Sequence, residues 1–195
     1  METVRLRDGS EVQIRPVEPG DKDAVRTGFD QLGAESRYKR FLSPVSELTA
    51  KQLDYLTEID HHDHEALVAI ANTVGVGVAR FVRLEPGGER AEVAVAVVDD
   101  WQGRGLGTVL LNRLSQRAGE ESVTVFTAAV LTDNRAIIDL LGSLGSTTSH
   151  LSGAGQLDLE IELEGEETLQ ELMRNAASGA MRFAERARTW RPRWR

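Results

Sequence analysis

The stretch VVDDWQGRGLGTVLL, Val97 to Leu111, sets glycines at alternate positions, Gly103, Gly105 and Gly107, between an apolar strand-like run and a helix-like one. A glycine loop that ends a strand and opens a helix gathers free backbone N–H groups at the positive end of the helix dipole, which suits a phosphate or pyrophosphate. Glycine also permits positive φ and close backbone approach where a Cβ would collide. A tight turn with no ligand is the plainer alternative. Two familiar phosphate loops do not fit. The Walker pattern closes on Gly-Lys-Ser/Thr, whereas this loop runs Gly107-Thr108-Val109. The dinucleotide fingerprint would need glycine at Thr108 or at Leu110, depending on register, and the next strand, SVTVFTAAV, has no acidic residue at its tip to hold a ribose. A dehydrogenase is therefore disfavoured.

The elements that must position this loop follow from periodicity. VRLRDGSEVQIRP reads as two short strands joined across Asp8-Gly9. Asp21 caps a helix carrying Ala24, Val25, Phe29 and Leu32, a second short helix covers AESRYKRFLS, and SELTAKQLDYLTEI supplies a third. EALVAIA, VGVARFVRL and AEVAVAVV then form a meander of antiparallel strands. After the glycine loop come a helix from Leu106 to Arg117, a buried strand SVTVFTAAVL, and a helix DNRAIIDLLGSLG capped by Asp133 or Thr132 and ended by Gly145. QLDLEIELEG alternates as a half-exposed strand. From Glu166 the composition turns to alanine, glutamate and arginine on a helical stripe, which places a boundary near Gly165: residues 1–165 as one domain, 166–195 as a helical, arginine-rich extension.

Composition narrows the function classes. A length of 195 residues with 41% hydrophobic and 28% charged content suits one domain with an appendage. With no cysteine there are no disulfides, thiolate metal sites or cysteine nucleophiles, as expected in a reducing compartment. The charged start METVRLRDGSEV and the lack of any run of roughly 18 apolar residues point to a cytoplasmic protein without a membrane span. A net charge of -8 argues against nucleic acid as a partner. The tail sets Arg182, Arg186, Arg188, Arg191, Arg193 and Arg195 around Trp190 and Trp194. Packing on its own domain, or on a twin in a homodimer, is favoured over an anionic membrane or nucleic acid, because the acidic body attracts those arginines.

The pattern Gln102-x-x-Gly105-x-Gly107, after the strand AEVAVAVVDDW and before an amphipathic helix, resembles the GNAT superfamily of acetyl-CoA-dependent N-acetyltransferases. LTDNRAIIDLLGSLG is similar to the family's next strand-to-helix segment, so the likeness runs from Ala91 to Leu163, with the upstream elements in the family's order. SRYKRFLSP, DHHDHEALVA and GVARFVR look most like the bacterial protein-lysine acetyltransferase (Pat) branch. The resemblance implies an α/β fold with a central mixed, mostly antiparallel sheet flanked by helices. It also implies that acetyl-CoA is the cosubstrate and a primary amine, plausibly a protein lysine, the acceptor. It implies backbone contacts from Val95, Ala96 and Val97 to the pantetheine arm, and a pyrophosphate cradle of Gln102, Gly103, Arg104, Gly105, Leu106, Gly107 and Thr108. Asn134 stands where the family contacts the cofactor or an ordered water.

A lysine ammonium of pKa about 10.4 is neutral in only about one molecule in a thousand near pH 7.4, so a base is needed. Glu92 matches the general base of Pat-type enzymes, and alternation sets it on one strand face with Ala94 and Ala96, whose small side chains leave room for a substrate. A solvent-facing strand glutamate is the alternative. The family's tyrosine acid, seven residues after the asparagine, is here Leu141, and no tyrosine follows Tyr55. That departure keeps two other readings open: a non-catalytic acyl-CoA-binding sensor and, on grounds of acceptor choice, a small-molecule amine acetyltransferase. His61, His62, Asp63, His64 and Glu65 invite a zinc site, but no distant partner is specified. A position at the mouth of the acceptor cleft and a solvated loop stand beside that reading.

Overall fold

The computed structural model describes residues 1–153 and 155–164. The helical, arginine-rich extension expected over 166–195 and its boundary at Gly165 lie outside the described residues. In chain order the elements are β1 (Glu2–Arg5), β2 (Glu11–Pro16), α1 (Lys22–Asp30), α2 (Ala34–Phe41), α3 (Ala50–Thr57), β3 (His64–Ala71), β4 (Val74–Arg83) and β5 (Arg90–Val97). They continue with α4 (Leu106–Glu120), β6 (Val125–Leu131), α5 (Arg135–Gly142), β7 (Gly145–Gly153) and β8 (Gln156–Leu163). The strands form one sheet in the order β1-β2-β3-β4-β5-β6-β8-β7. Every neighbouring pair is antiparallel except β5 and β6, which run parallel. The expected mixed, mostly antiparallel α/β sheet is therefore present.

Register decides what each face of the sheet carries, because directly paired residues share a face. Leu67, Ala79 and Val95 form one row, and Phe81 pairs with Val93 in the next. Apart from the buried Glu65, which pairs with Phe81, this face is apolar, and it is closed by Leu106, Leu110, Leu111 and Leu114 of α4 in the main core. Each fully buried leucine contributes about 1.5–3 kcal/mol, so α4 and its N-terminus are firmly held. The opposite face carries the rows Ala66–Arg80–Ala94 and Val68–Val78–Ala96, with smaller side chains, beneath α1 to α3.

Several local expectations are refined. The first hairpin closes through Leu6 N to Ser10 O at 2.8 Å and Gly9 N to Leu6 O at 3.0 Å, with Gly9 at φ 86°. This is a three-residue loop with glycine in the left-handed position. Asp21 does not cap α1 with its own side chain. Its carboxylate instead accepts two bonds from Arg15 and one from Glu18 N, all at 2.7 Å, and the Arg15 guanidinium holds it below the usual carboxylate range. The N-cap of α5 is Asn134, not Asp133 or Thr132, and it makes no side-chain capping bond. Gly145 begins β7 and does not end α5, which stops at Gly142. Strand β7 itself carries no alternation, because it is an exposed edge strand with polar residues on both faces.

Helix α1 rests on β4 backbone to backbone. A Cβ on Gly28 would lie 2.7 Å from the carbonyl oxygen of Gly75, and one on Gly75 would lie 2.9 Å from that of Ala24. Neither carbonyl is a flexible side-chain end that could swing aside. Gly28→Ala is therefore expected to lift α1 from β4 and lower stability by about 1–3 kcal/mol, the usual cost of overpacking. Denaturant unfolding of the variant beside the parent measures this; equal midpoints would show that α1 does not depend on the close approach.

Candidate active site

The site begins where the sheet comes apart. Parallel pairing of β5 with β6 covers only Arg90–Val125, Ala91–Phe126 and Glu92–Thr127. Beyond that point β5 stays paired to β4 as far as Val97, and β6 to β8 as far as Leu131. The two strands separate into a V whose inner edges, residues 93–97 and 128–130, line an open cleft of about 730 Å³. Facing edges of separated strands carry N–H and C=O groups with no ladder partner, and such groups demand one. Val95 and Val97 are among them, while Ala96 between them pairs with Val78 of β4, two residues from the Val98 N to Val76 O bond.

At the open end of the V the chain turns through the glycine loop into α4. Gly103 has φ 72° and Gly105 φ 90°, left-handed values that suit glycine. Gly105 is the N-cap of α4, whose first helical bond runs from Val109 N to Gly105 O at 3.1 Å. The amides of Leu106, Gly107 and Thr108 thus have no intrahelical acceptor and, at the positive helix end, present an anion cradle. Gly107 differs from its neighbours. It lies inside the helix, where an added Cβ would meet Leu140 of α5 at 3.1 Å, so it serves close helix packing and not positive φ.

The cleft gathers Glu92, Val95, Ala96, Val97, Gln102, Gly103, Gly105, Leu106, Gly107, Thr108 and Asn134, which is every expected site residue but one. The exception is Arg104. Its guanidinium donates to Asp8 at 3.0 Å and to the carbonyl of Asp100 at 2.6 Å and lies 4.8 Å from the ring centroid of Trp101, so it is not among the residues lining the cleft. The positive charge beside the loop comes from Arg7, which lines the cleft and approaches the position a Gly105 Cβ would take to within 3.2 Å. The first hairpin brings it there through Arg7 N to Arg104 O, 3.2 Å. No local motif marks Arg7, because its partner loop is distant in sequence. Gln102 uses its side chain to tie the loop together, donating to Val97 O at 3.0 Å, to Asp99 at 3.1 Å and to Ser36 at 3.3 Å. Asp99 in turn accepts from Ser36 at 2.6 Å and from Gly33 N at 3.2 Å, fixing the start of α2 against the loop.

Glu92 occupies the apex of the V, the last residue of β5 paired to β6, and is solvent-exposed. It shares its face with Ala94 and Ala96, both half-buried. Arg40 of α2 lines the same cleft, and Arg80 of β4 sits one row away on the same face. Burial pushes the Arg40 guanidinium down to about 10, Arg80 adds repulsion, and the charge of Glu92 works the other way. Leu141 is buried in the core and has no proton to give.

The histidine-rich segment is tied to internal partners. Glu65, 1% exposed, pairs with His61 at 2.8 Å and accepts from Ala66 N at 2.9 Å and Arg117 Nε at 3.1 Å. His62 meets Glu121 at 2.5 Å, and Asp63 meets Arg83 at 3.0 Å. The segment clamps the start of β3 to the end of α4. His64 alone turns toward the face of Glu92, with burial pushing its imidazole down to about 4. Among the described residues no group of three or more metal-ligating side chains is placed to hold an ion.

Comparison with known proteins agrees with this geometry. Residues 33–145 match the Acetyltransferase (GNAT) family. Acetyltransferase Pat of Mycolicibacterium smegmatis is 39% identical over 145 residues, 73% of this chain, although the chain spans only 43% of that protein's length. Acetyltransferase PA5475 of Pseudomonas aeruginosa is 33% identical over 144 residues, covering 72% of this chain and 77% of its own. The GNAT domain of S. lividans PAT superposes with a TM-score of 0.77 at 32% identity, over 83% of this chain and 96% of that one. The split sheet, the glycine loop at the N-terminus of α4 and these likenesses meet in one conclusion: the chain belongs to the GNAT family of acetyl-CoA-dependent N-acetyltransferases.

Proposed function

We propose that this chain moves an acetyl group from acetyl-CoA to a primary amine, a protein lysine in the reading that the Pat likeness favours, with Glu92 as general base. One observation carries the proposal. The carboxylate stands at the apex of the cleft, beside small residues, while the free amides of α4 stand at its other end. Bound acetyl-CoA supplies an acetyl thioester as electrophile. The residues suited to hold it are the amides of Gly103 to Thr108 with Arg7 at the pyrophosphate and the edge groups of Val95 and Val97, with the small Ala96 between them, along the pantetheine arm. Gln102 acts by holding the loop's shape.

Glu92 takes the proton that the attacking amine must lose, directly or through water. Such assistance contributes about 10²–10⁴ in rate. Leu141 offers no acid to the departing thiolate, but a thiol of pKa about 8.5 leaves as its anion near neutral pH without one. The cytoplasm is the proposed location, and no helix among the described residues is long and apolar enough to cross a membrane. Division into an acetyltransferase unit over 1–165 and a helical extension over 166–195, packed on its own domain or on a twin in a homodimer, remains part of the same proposal.

Glu92→Gln should keep acetyl-CoA affinity by calorimetry while steady-state turnover near pH 7 falls by about 10²–10⁴, and raising the pH should restore part of the rate because more amine is already neutral. Turnover equal to the parent at pH 7 would assign the base elsewhere. Gly105→Val forces a β-branched residue into φ 90° and against Arg7, so acetyl-CoA binding should be lost from a protein that still shows the parent circular dichroism. Retained affinity would reduce the loop to a turn.

A further inference from the structure

Two arginines in the described residues behave unlike the other buried cations. Arg15, Arg83 and Arg117 are paired with Asp21, Asp63 and Glu65 at 2.7, 3.0 and 3.1 Å. Arg37 is engaged by three backbone carbonyls at 2.8 to 3.0 Å. Arg80 is 6% exposed and Arg40 half-buried, yet among the described residues neither has a carboxylate within 4.0 Å. Their neighbours are aromatic: Arg80 lies 4.7 Å over the Tyr55 ring and Arg40 5.1 Å from that of Phe41. Stacking of this kind recovers only about 0.5–2 kcal/mol, less than the cost of taking a guanidinium out of water without a counter-ion.

Both guanidiniums line a small chamber of about 70 Å³ beneath α1, α2 and α3, whose other walls include Val25, Phe29 and Leu56. Leu32, Arg40, Phe41 and Ala96 line both the chamber and the cleft that holds Glu92, so the two adjoin, and Arg80 lies one row from Glu92 on the same face of the sheet. Ala66 and Ala94 flank Arg80 in its row, leaving the guanidinium uncovered from within the sheet. A desolvated positive pair, apolar walls and an opening into the cleft that holds the base together describe a receptor for a carboxylate on a short apolar stem. The pyrophosphate is already provided for at the opposite end of the cleft.

We infer that the acceptor of this enzyme carries a carboxylate close in space to its amine, which Arg40 and Arg80 hold while Glu92 faces the amine. This rests on the reading of the cleft as an amine acetyltransferase site. Two sources offer that chemistry: the carboxylate of a free amino acid, or an acidic side chain beside an acceptor lysine in a polypeptide. Both place the negative charge in the arginine pair, and each guanidinium bond to a carboxylate is of the strong, charge-assisted kind.

The test separates the anion site from the chemistry. Calorimetry of the full chain with acetyl-CoA present measures binding of valerate against its uncharged amide, a pair that lacks an amine and cannot turn over. The acid should bind at least about tenfold more tightly. Turnover is then compared for 5-aminovalerate and its amide, and for lysine peptides flanked by glutamate or by glutamine; whichever pair shows a preference of about tenfold or more in kcat/KM names the source. In Arg40→Gln both the binding and the kcat/KM ratio should collapse toward one, and Arg40→Lys should recover part of each. Arg80→Lys, which keeps the charge in the more buried position, should retain the preference. Equal binding of acid and amide by the parent would overturn the inference, as would a preference that survives Arg40→Gln. Acid binding that depends on Arg40 in a protein that acetylates no amine would sink the acetyltransferase reading and leave the anion site standing. Brisk acetylation without any carboxylate preference would do the reverse.

Discussion

The structure depends on one interruption: the parallel ladder between β5 and β6 stops after Glu92–Thr127. A continuous sheet would bury every edge group and leave no cleft. By separating, the strands keep their outer pairings, β5 to β4 and β6 to β8, so the sheet stays intact on either side while its middle opens. The free edges then face each other across a space too wide for a hydrogen bond between them. Groups of this kind call for a ligand that carries its own amides and carbonyls. The same interruption sets Glu92 at the one point where a strand side chain meets both the closed sheet and the open cleft.

Holding the V open requires rigid elements at its rim. Four leucines of α4 are fully or nearly fully buried, so the helix that presents the free amides cannot drift from the sheet. Asp99 and Gln102 fasten the loop to α2, and Arg7 reaches it from the first hairpin. The histidine-rich segment anchors the far end of α4 through Glu65 and His62, while Asp63 holds Arg83 of β4, which donates to the carbonyl of Glu121. Its polar residues therefore act at a distance from the cleft by fixing the helix whose other end forms the cradle. Glu65 is buried while its partners His61 and Arg117 are partly exposed, so losing one of them costs less than the about 3–5 kcal/mol of a fully buried pair, and the clamp is still a stability element.

Much of this was legible from residue patterns, and the boundary of legibility is physical. β3, β4 and β5 announce themselves because their faces are buried against helices, and β8 because one of its faces is. β7 does not, since an exposed edge strand of serine and threonine has no burial to encode. The face shared by Glu92, Ala94 and Ala96 follows from period two alone. The glycine loop was readable as a cradle, but Gly107 owes its identity to Leu140 of a later helix and Arg104 to Asp8 of an earlier hairpin. Arg7, Arg40 and Arg80 went unseen for the same reason. Their significance lies in what surrounds them in three dimensions, and no spacing within a segment records it.

Charge supplies the last link. The chain carries a formal net charge of -8, and a phosphate-bearing cofactor approaches it against that field. A uniformly paired surface would repel such a ligand everywhere. Here most described arginines are neutralised by nearby carboxylates, at Asp8, Asp21, Asp63, Glu65 and Glu160 among others. The cleft and the chamber beside it gather several cations that are not so paired, with Arg7 at one end, Arg40 and Arg80 at the other, and the positive terminus of α4 beside Arg7. Inside a concave, partly desolvated space these few groups act with less screening than charges on the open surface. Positive charge thus stands at both ends of a cleft in an acidic chain, and Glu92 is the carboxylate that faces that cleft at its apex, one row from Arg80.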